Sequence, residues 1–203
     1  MKTQIGRMTT MGTLSCFTVF LAATSVSLGQ GTVYFINYAP GGSVDAPISD
    51  AFGNRIAGPS PYVADLFWSA NLNSPMEGLI AGGFNAGFLS STFHGGGYFS
   101  GGGRTLPLPG GQAILAQVRV WDTTFGPSYA QARDNGGEFG FSNLIVITPD
   151  TPPGSGAYLT GLQSFQLQVI PEPSSLALWV VAGGIFLLRF RKRAPEYDAP
   201  ARK

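Results

Sequence analysis

The chain has 203 residues and a formal charge of +1, but its basic residues are concentrated near its two ends. Between residues 30 and 170 the bases are Arg55, Arg104, Arg119 and Arg133, with no lysine. They face Asp45, Asp50, Asp65, Glu77, Asp122, Asp134, Glu138 and Asp150, a net of −4 that repels phosphate backbones and argues against nucleic-acid binding.

Taken in order, Lys2 and Arg7 precede an apolar, charge-free stretch at about residues 11–26, followed by the small residues Ser25, Ser27 and Gly29. This is the layout of a secretory signal peptide. Cleavage is expected after Gly29, with Gln30 as the mature start. Cys16 lies inside the apolar stretch, with Phe17, Val19, Phe20 and Leu21 still to come, whereas a lipidated cysteine would end it. With that segment removed no cysteine remains, so stability must come from packing rather than disulfides. Residues 30–170 are enough for one domain with a core of its own.

Several segments of this body alternate as half-buried strands do. Residues 32–39 are rich in β-branched and aromatic side chains and stop at Ala39-Pro40-Gly41-Gly42. Residues 62–69 place Tyr62, Ala64, Leu66 and Trp68 on one face and Val63, Asp65, Phe67 and Ser69 on the other. In residues 113–122, Ile114, Ala116, Val118 and Val120 alternate with Leu115, Gln117, Arg119 and Trp121, so that one face is core and the other at least partly wet. The more continuous apolar run at residues 141–148 predicts a central strand, and residues 164–170 alternate as a last strand. Weaker candidates are residues 84–92, 97–100 and 104–108. A single short helix is expected at residues 128–134, capped by Ser128 and ended by Gly136. Short strands with frequent Gly, Pro and Asn turns predict an all-β fold, an antiparallel β-sandwich of immunoglobulin-like or jelly-roll-like kind.

Past the body come Pro171-Glu172-Pro173-Ser174-Ser175, an apolar run at residues 176–188, and the bases Arg189, Arg191, Lys192 and Arg193. As a helix the run spans ~20 Å against a hydrocarbon core of ~30 Å, short for a permanent anchor, so it predicts a single marginal transmembrane helix. The basic cluster acts as a membrane stop signal, keeping the tail at residues 194–203 cytoplasmic and the body outside. The prolines keep Glu172 in an extended, accessible segment.

These three parts in this order resemble the PEP-CTERM sorting signal of Gram-negative bacteria. The resemblance implies recognition by an exosortase, a membrane-embedded cysteine protease. On that basis Pro171, Glu172, Pro173 and Ser174 are what the enzyme reads, while Arg189, Arg191, Lys192 and Arg193 hold the substrate in register. The extra residues 194–203 depart from the family pattern, whose members stop soon after the basic cluster. The body, with Val44-Asp45-Ala46-Pro47, Tyr62-Val63-Ala64-Asp65-Leu66 and Gln117-Val118-Arg119-Val120-Trp121-Asp122, also resembles small exported domains that accompany such tails. That likeness supports the architecture and gives no mechanism.

Candidate chemistry within the body is sparse. His94 is the one histidine, so a Ser-His-Asp triad or any histidine metal site would need it, and it reads as an exposed loop residue. The glycine triplets within residues 95–103 lack the Lys-Ser/Thr of a phosphate loop and read as a flexible hairpin connection. The segment Asp134-Asn135-Gly136-Gly137-Glu138 lacks EF-hand spacing and reads as a helix-ending turn. Paired carboxylates for glycoside hydrolysis would be drawn from Asp65, Glu77, Asp122 and Glu138. Tyr62, Trp68 and Trp121 would stack on sugars only where exposed. The expectation is a non-enzymatic exported protein with no cofactor, no metal and no catalytic residue. It passes through an inner-membrane intermediate with the body in the periplasm, then reaches the cell surface or the extracellular matrix, where exopolysaccharide is a partner. A secreted polysaccharide-active hydrolase or a glycan-binding module is the alternative.

Overall fold

The computed structural model describes residues 30–170. They form an all-β protein in which every strand-to-strand pairing is antiparallel, with one short helix. Strand β1 (Gln30–Ile36) is followed by β2 (Tyr62–Ser69), β3 (Ile80–Ala81), β4 (Ala86–Gly87), β5 (Ser100–Pro109) and β6 (Ile114–Asp122). Helix α1 (Tyr129–Asp134) precedes β7 (Phe139–Phe141) and β8 (Ile145–Ile147).

Two sheets share one core. In the larger, β2 and β6 pair without interruption from Tyr62↔Asp122 to Ser69↔Leu115. The far edge of β2 takes β3 and β4, and that of β6 takes β7 and β8. The smaller sheet is β1 with β5, whose register shifts near both ends. Val33 and Phe35 of β1 and Leu106 and Leu108 of β5 meet Ala64, Leu66, Ile114, Ala116, Val118 and Val120 of the larger sheet. The two-residue alternation of both central strands aims these side chains inward.

The opposite face of β6, expected to be partly wet, is covered. Helix α1 lies over it, and Trp121, Tyr129, Ala132 and Phe139 make a second cluster flanked by Val63 and Phe67. Gln117 is fully buried: its Nε2 donates to the Ser142 carbonyl at 2.9 Å, and its Oε1 accepts from Arg119 Nε at 2.9 Å. The Arg119 guanidinium lies 4.2 Å from the Phe67 ring centre and donates to the Met76 carbonyl. Polar side chains can line a buried face when they find partners, and here Gln117 and Arg119 bond to each other and to the carbonyls of Ser142 and Met76, while the buried Trp121 Nε1 has no protein partner.

Three further expectations change. Residues 141–148 are not one central strand: they take in the last residue of β7, Phe141, a break, and the short strand β8, Ile145–Ile147. At the break Ser142 Oγ accepts the Val118 amide at 3.0 Å, so a side chain takes over from the ladder. Residues 164–170 are no strand, although Leu167 is buried. Leu167 N donates to the Ser49 carbonyl, and Gln168 and Phe139 exchange backbone bonds of 2.8 and 3.0 Å. The second glycine triplet sits inside β5, so residues 95–103 are not one flexible connection. The short helix forms with Ser128 as its cap, accepting the Gln131 amide at 3.3 Å, and Gly136 follows with φ 76°.

No helix of the described residues is long and apolar enough to cross a membrane. The predicted segments at residues 1–29, 171–193 and 194–203, including the expected transmembrane helix, lie outside the described residues.

Candidate functional site

Three loops meet beyond the end of β1, and a buried asparagine joins them. Asn37 is fully buried; its Nδ2 donates to the Ala46 and Gly97 carbonyls at 2.7 and 2.8 Å, and its Oδ1 accepts the Phe99 amide at 2.8 Å. One side chain thus satisfies three backbone groups from two distant segments, as a buried amide must. Its chain neighbour Tyr38 and Gly97's neighbour Tyr98 are thereby brought to one place, ring centres 6.2 Å apart and tilted by 75°.

The loop between them turns at Pro40–Gly42 and returns through Asp45, which bridges Tyr38. Asp45 Oδ1 accepts the Tyr98 hydroxyl at 2.7 Å. Burial, and then that bond to a carboxylate, push the Tyr98 phenol up from its ordinary value of 10.0, so it stays a proton donor. His94 completes the rim. It is exposed, has φ 49°, and its carbonyl accepts Arg55 Nη1 at 2.9 Å. Its imidazole stands 5.8 Å from the Tyr98 ring and 4.5 Å from that of Phe93. Together Tyr38, Val44, Asp45, His94 and Tyr98 line an open cleft of about 190 Å³.

The carboxylates considered for hydrolysis are divided. Asp65 is only 2% exposed and works on the backbone: Oδ1 accepts the Leu66 and Phe84 amides, both at 2.8 Å, and Oδ2 accepts Gly83 at 3.0 Å. It fills the gap in the sheet edge between β3 and β4, where the ladder lacks a partner strand. Burial pushes its carboxyl above the ordinary 3.8, opposed by those three amides and by Arg104. Glu77 sits apart from it, on the side of Arg119.

Asp122 and Glu138 are brought together, because the Asp122 amide donates to the Glu138 carbonyl at 3.0 Å and both side chains face Tyr62. Burial and the Glu138 carboxylate push the Tyr62 phenol well above its usual range. Both acids already have structural work. Asp122 Oδ1 accepts the Thr124 amide and hydroxyl at 2.8 and 2.7 Å, closing the turn expected after Trp121, and Glu138 accepts the Ala51 amide at 3.1 Å. Asp134 pairs with Arg133 at 2.8 Å. Among the described residues no three His, Cys, Asp or Glu side chains are grouped to hold a metal ion. Trp68 and Trp121 are buried and present no surface for stacking on a sugar.

Sequence reasoning singled out His94 and missed Tyr38, Asp45, Arg55 and Tyr98 as its neighbours. The only local hint was the density of aromatics around the glycines, Phe93-His94 before and Tyr98-Phe99 after. The residues expected to form a sorting signal, Pro171, Glu172, Pro173 and Ser174, and the expected membrane stop signal, Arg189, Arg191, Lys192 and Arg193, lie outside the described residues.

The described residues form an all-β body that carries an open, aromatic-lined cleft. No family model, no curated protein and no solved structure matches the chain.

Proposed function

We propose that this is an exported, non-enzymatic β-sandwich protein, of immunoglobulin-like or jelly-roll-like kind, sorted to the bacterial envelope or extracellular matrix through a PEP-CTERM signal. The observation that carries this reading is the order of Pro171-Glu172-Pro173, the apolar residues 176–188 and Arg189, Arg191, Lys192 and Arg193. The apolar stretch after Lys2 and Arg7 supports it, since it has the layout of an export signal. Two sheets over a common core support the sandwich, and the structural employment of Asp65, Asp122 and Glu138 supports a binding or architectural role over turnover. An exosortase-type membrane protease is the processing partner, and the inner membrane holds the precursor before the cut.

Replacing Pro171, Glu172 and Pro173 with alanine in a strain that carries an exosortase tests the assignment. Intact-mass measurement of cell and medium fractions should show the precursor retained, and unchanged processing would sink it.

One observation favours a second reading, a polysaccharide-active hydrolase: Asp122 and Glu138 meet beside Tyr62 at one end of the central ladder. Turnover of a polysaccharide that disappears in Asp122→Ala or Glu138→Ala would replace the first reading with this one.

A further inference from the structure

We propose that the cleft between Tyr38, Asp45, His94 and Tyr98 binds a single pyranose unit of a neutral polysaccharide, without cleaving it. The inference rests on the surface or matrix placement for its claim that such a polymer is within reach; the chemistry of the cleft stands apart from delivery.

Shape limits the ligand first. At about 190 Å³ and open to solvent, the cleft is smaller than the ~300–1,000 Å³ that drug-sized ligands fill, and it suits one ring of a chain that continues past both sides. Its walls are two phenols and an imidazole, whose faces carry negative quadrupole charge and attract the C–H edges of a sugar ring.

The polar groups fix the class. Asp45 is exposed, and only its Oδ1 is engaged among the described residues, so Oδ2 can accept a ligand hydroxyl in a charge-assisted bond. The Tyr98 hydroxyl holds the carboxylate in place, and Asn37 holds Tyr38 and Tyr98 through the backbone, so the acceptor is positioned before any ligand arrives.

Charge weighs against the neighbouring classes. An acidic sugar would place its carboxylate against Asp45 on a body of net charge −4. An ammonium group, which aromatic clefts also bind, would be drawn to Asp45 but opposed by the Arg55 guanidinium, which donates to the His94 carbonyl behind the rim, so it is the competing class that choline tests. A neutral ring of hydroxyls donates to Asp45 and finds in the His94 imidazole a second polar contact. Hydrolysis of a glycosidic bond needs a pair of carboxyl groups, and the lining contributes only Asp45.

Because His94 is the only histidine in the chain, its imidazole resonance is an unambiguous reporter of the cleft. Untagged full-length protein in a sugar-free detergent would be titrated with β-1,4-linked hexasaccharides of glucose, mannose and xylose and with α-1,4-linked maltohexaose. Hexagalacturonate and choline would serve as the acidic and cationic probes.

The expected result is a saturable shift of the His94 resonance with at least one neutral hexasaccharide. Asp45→Ala should weaken that binding about tenfold or more, as loss of a charge-assisted bond does. His94→Gly keeps the backbone content at φ 49° and should weaken binding about two- to fivefold, read by calorimetry. The proposal is overturned if none of the four neutral probes moves the resonance, if choline or hexagalacturonate binds more tightly, or if both variants bind as the parent does. Since the protein is assayed without being sorted, failure here leaves the sorting signal standing, and failed processing leaves a positive titration standing.

Discussion

At Gly95, Gly96 and Gly97 the backbone turns through φ of 78, 88 and 88°, whereas Gly101, Gly102 and Gly103 lie inside β5, where Gly103 pairs with Tyr34 of β1 and Gly102, with φ 71°, sits at the shift of register before it. The two triplets are identical in sequence and three residues apart, and their surroundings separate them. Gly97 is locked into backbone: its amide donates to the Ile56 carbonyl at 2.6 Å, and its carbonyl accepts Ile48 N and Asn37 Nδ2. A Cβ there would lie 2.9 Å from the Ile48 nitrogen. Gly101 is glycine for a different reason, since a Cβ would stand 2.6 Å from Cδ1 of Phe35, whose ring is fully buried in the core. Around Gly103 a Cβ would meet nothing within 4 Å. A run of glycines is therefore not one property of a chain: each position answers to its own neighbours, here a turn, a ring and open solvent.

Four substitutions test how far neighbours decide the cost. Asn37→Asp should cost most, about 4 kcal/mol at neutral pH in denaturant unfolding, because a carboxylate would face two carbonyl oxygens in a fully buried site. The new carboxyl would be protonated more readily folded than unfolded. The deficit should be smallest below about pH 4 and grow as the pH rises through its raised folded value; a loss independent of pH would contradict this account.

Gly97→Ala comes next, at about 3 kcal/mol, combining a φ of 88° with contact against rigid backbone. Gly101→Ala should cost about 2 kcal/mol, since its Cβ would crowd the buried Phe35 ring but meet backbone no nearer than 3.1 Å, against 2.9 Å at Gly97. Gly103→Ala should shift stability by about 0.5 kcal/mol in the stabilising direction, by reducing the freedom of the unfolded chain. Equal losses at Gly97, Gly101 and Gly103 in thermal unfolding would remove the distinction.

Much of the larger sheet was legible. The alternation at residues 62–69 predicts β2 with the bounds it has, and that at residues 113–122 predicts β6 with one face in the core. Ser128 and Gly136 mark the helix ends because capping is local chemistry.

What was not legible depended on partners far along the chain. Gln117 and Arg119 look like a wet face until Ser142, Met76 and Phe67 are seen to satisfy them. Asp65 reads as a candidate acid, and only the break between β3 and β4 shows it to be a substitute for a strand. The cleft was hidden for the same reason: Asp45 and Tyr98 are 53 residues apart, and the asparagine that unites their loops carries no local mark of its role.

The reciprocal bonds between Phe139 and Gln168, with Leu167 sunk beside them, leave only Val169 and Ile170 before residue 171. A pull on the chain from that end is therefore borne first by this clasp, then passes through β7 into β6. The body would meet such a pull with its broadest ladder one strand behind the clasp, as a knot is tied to a beam rather than to the cladding.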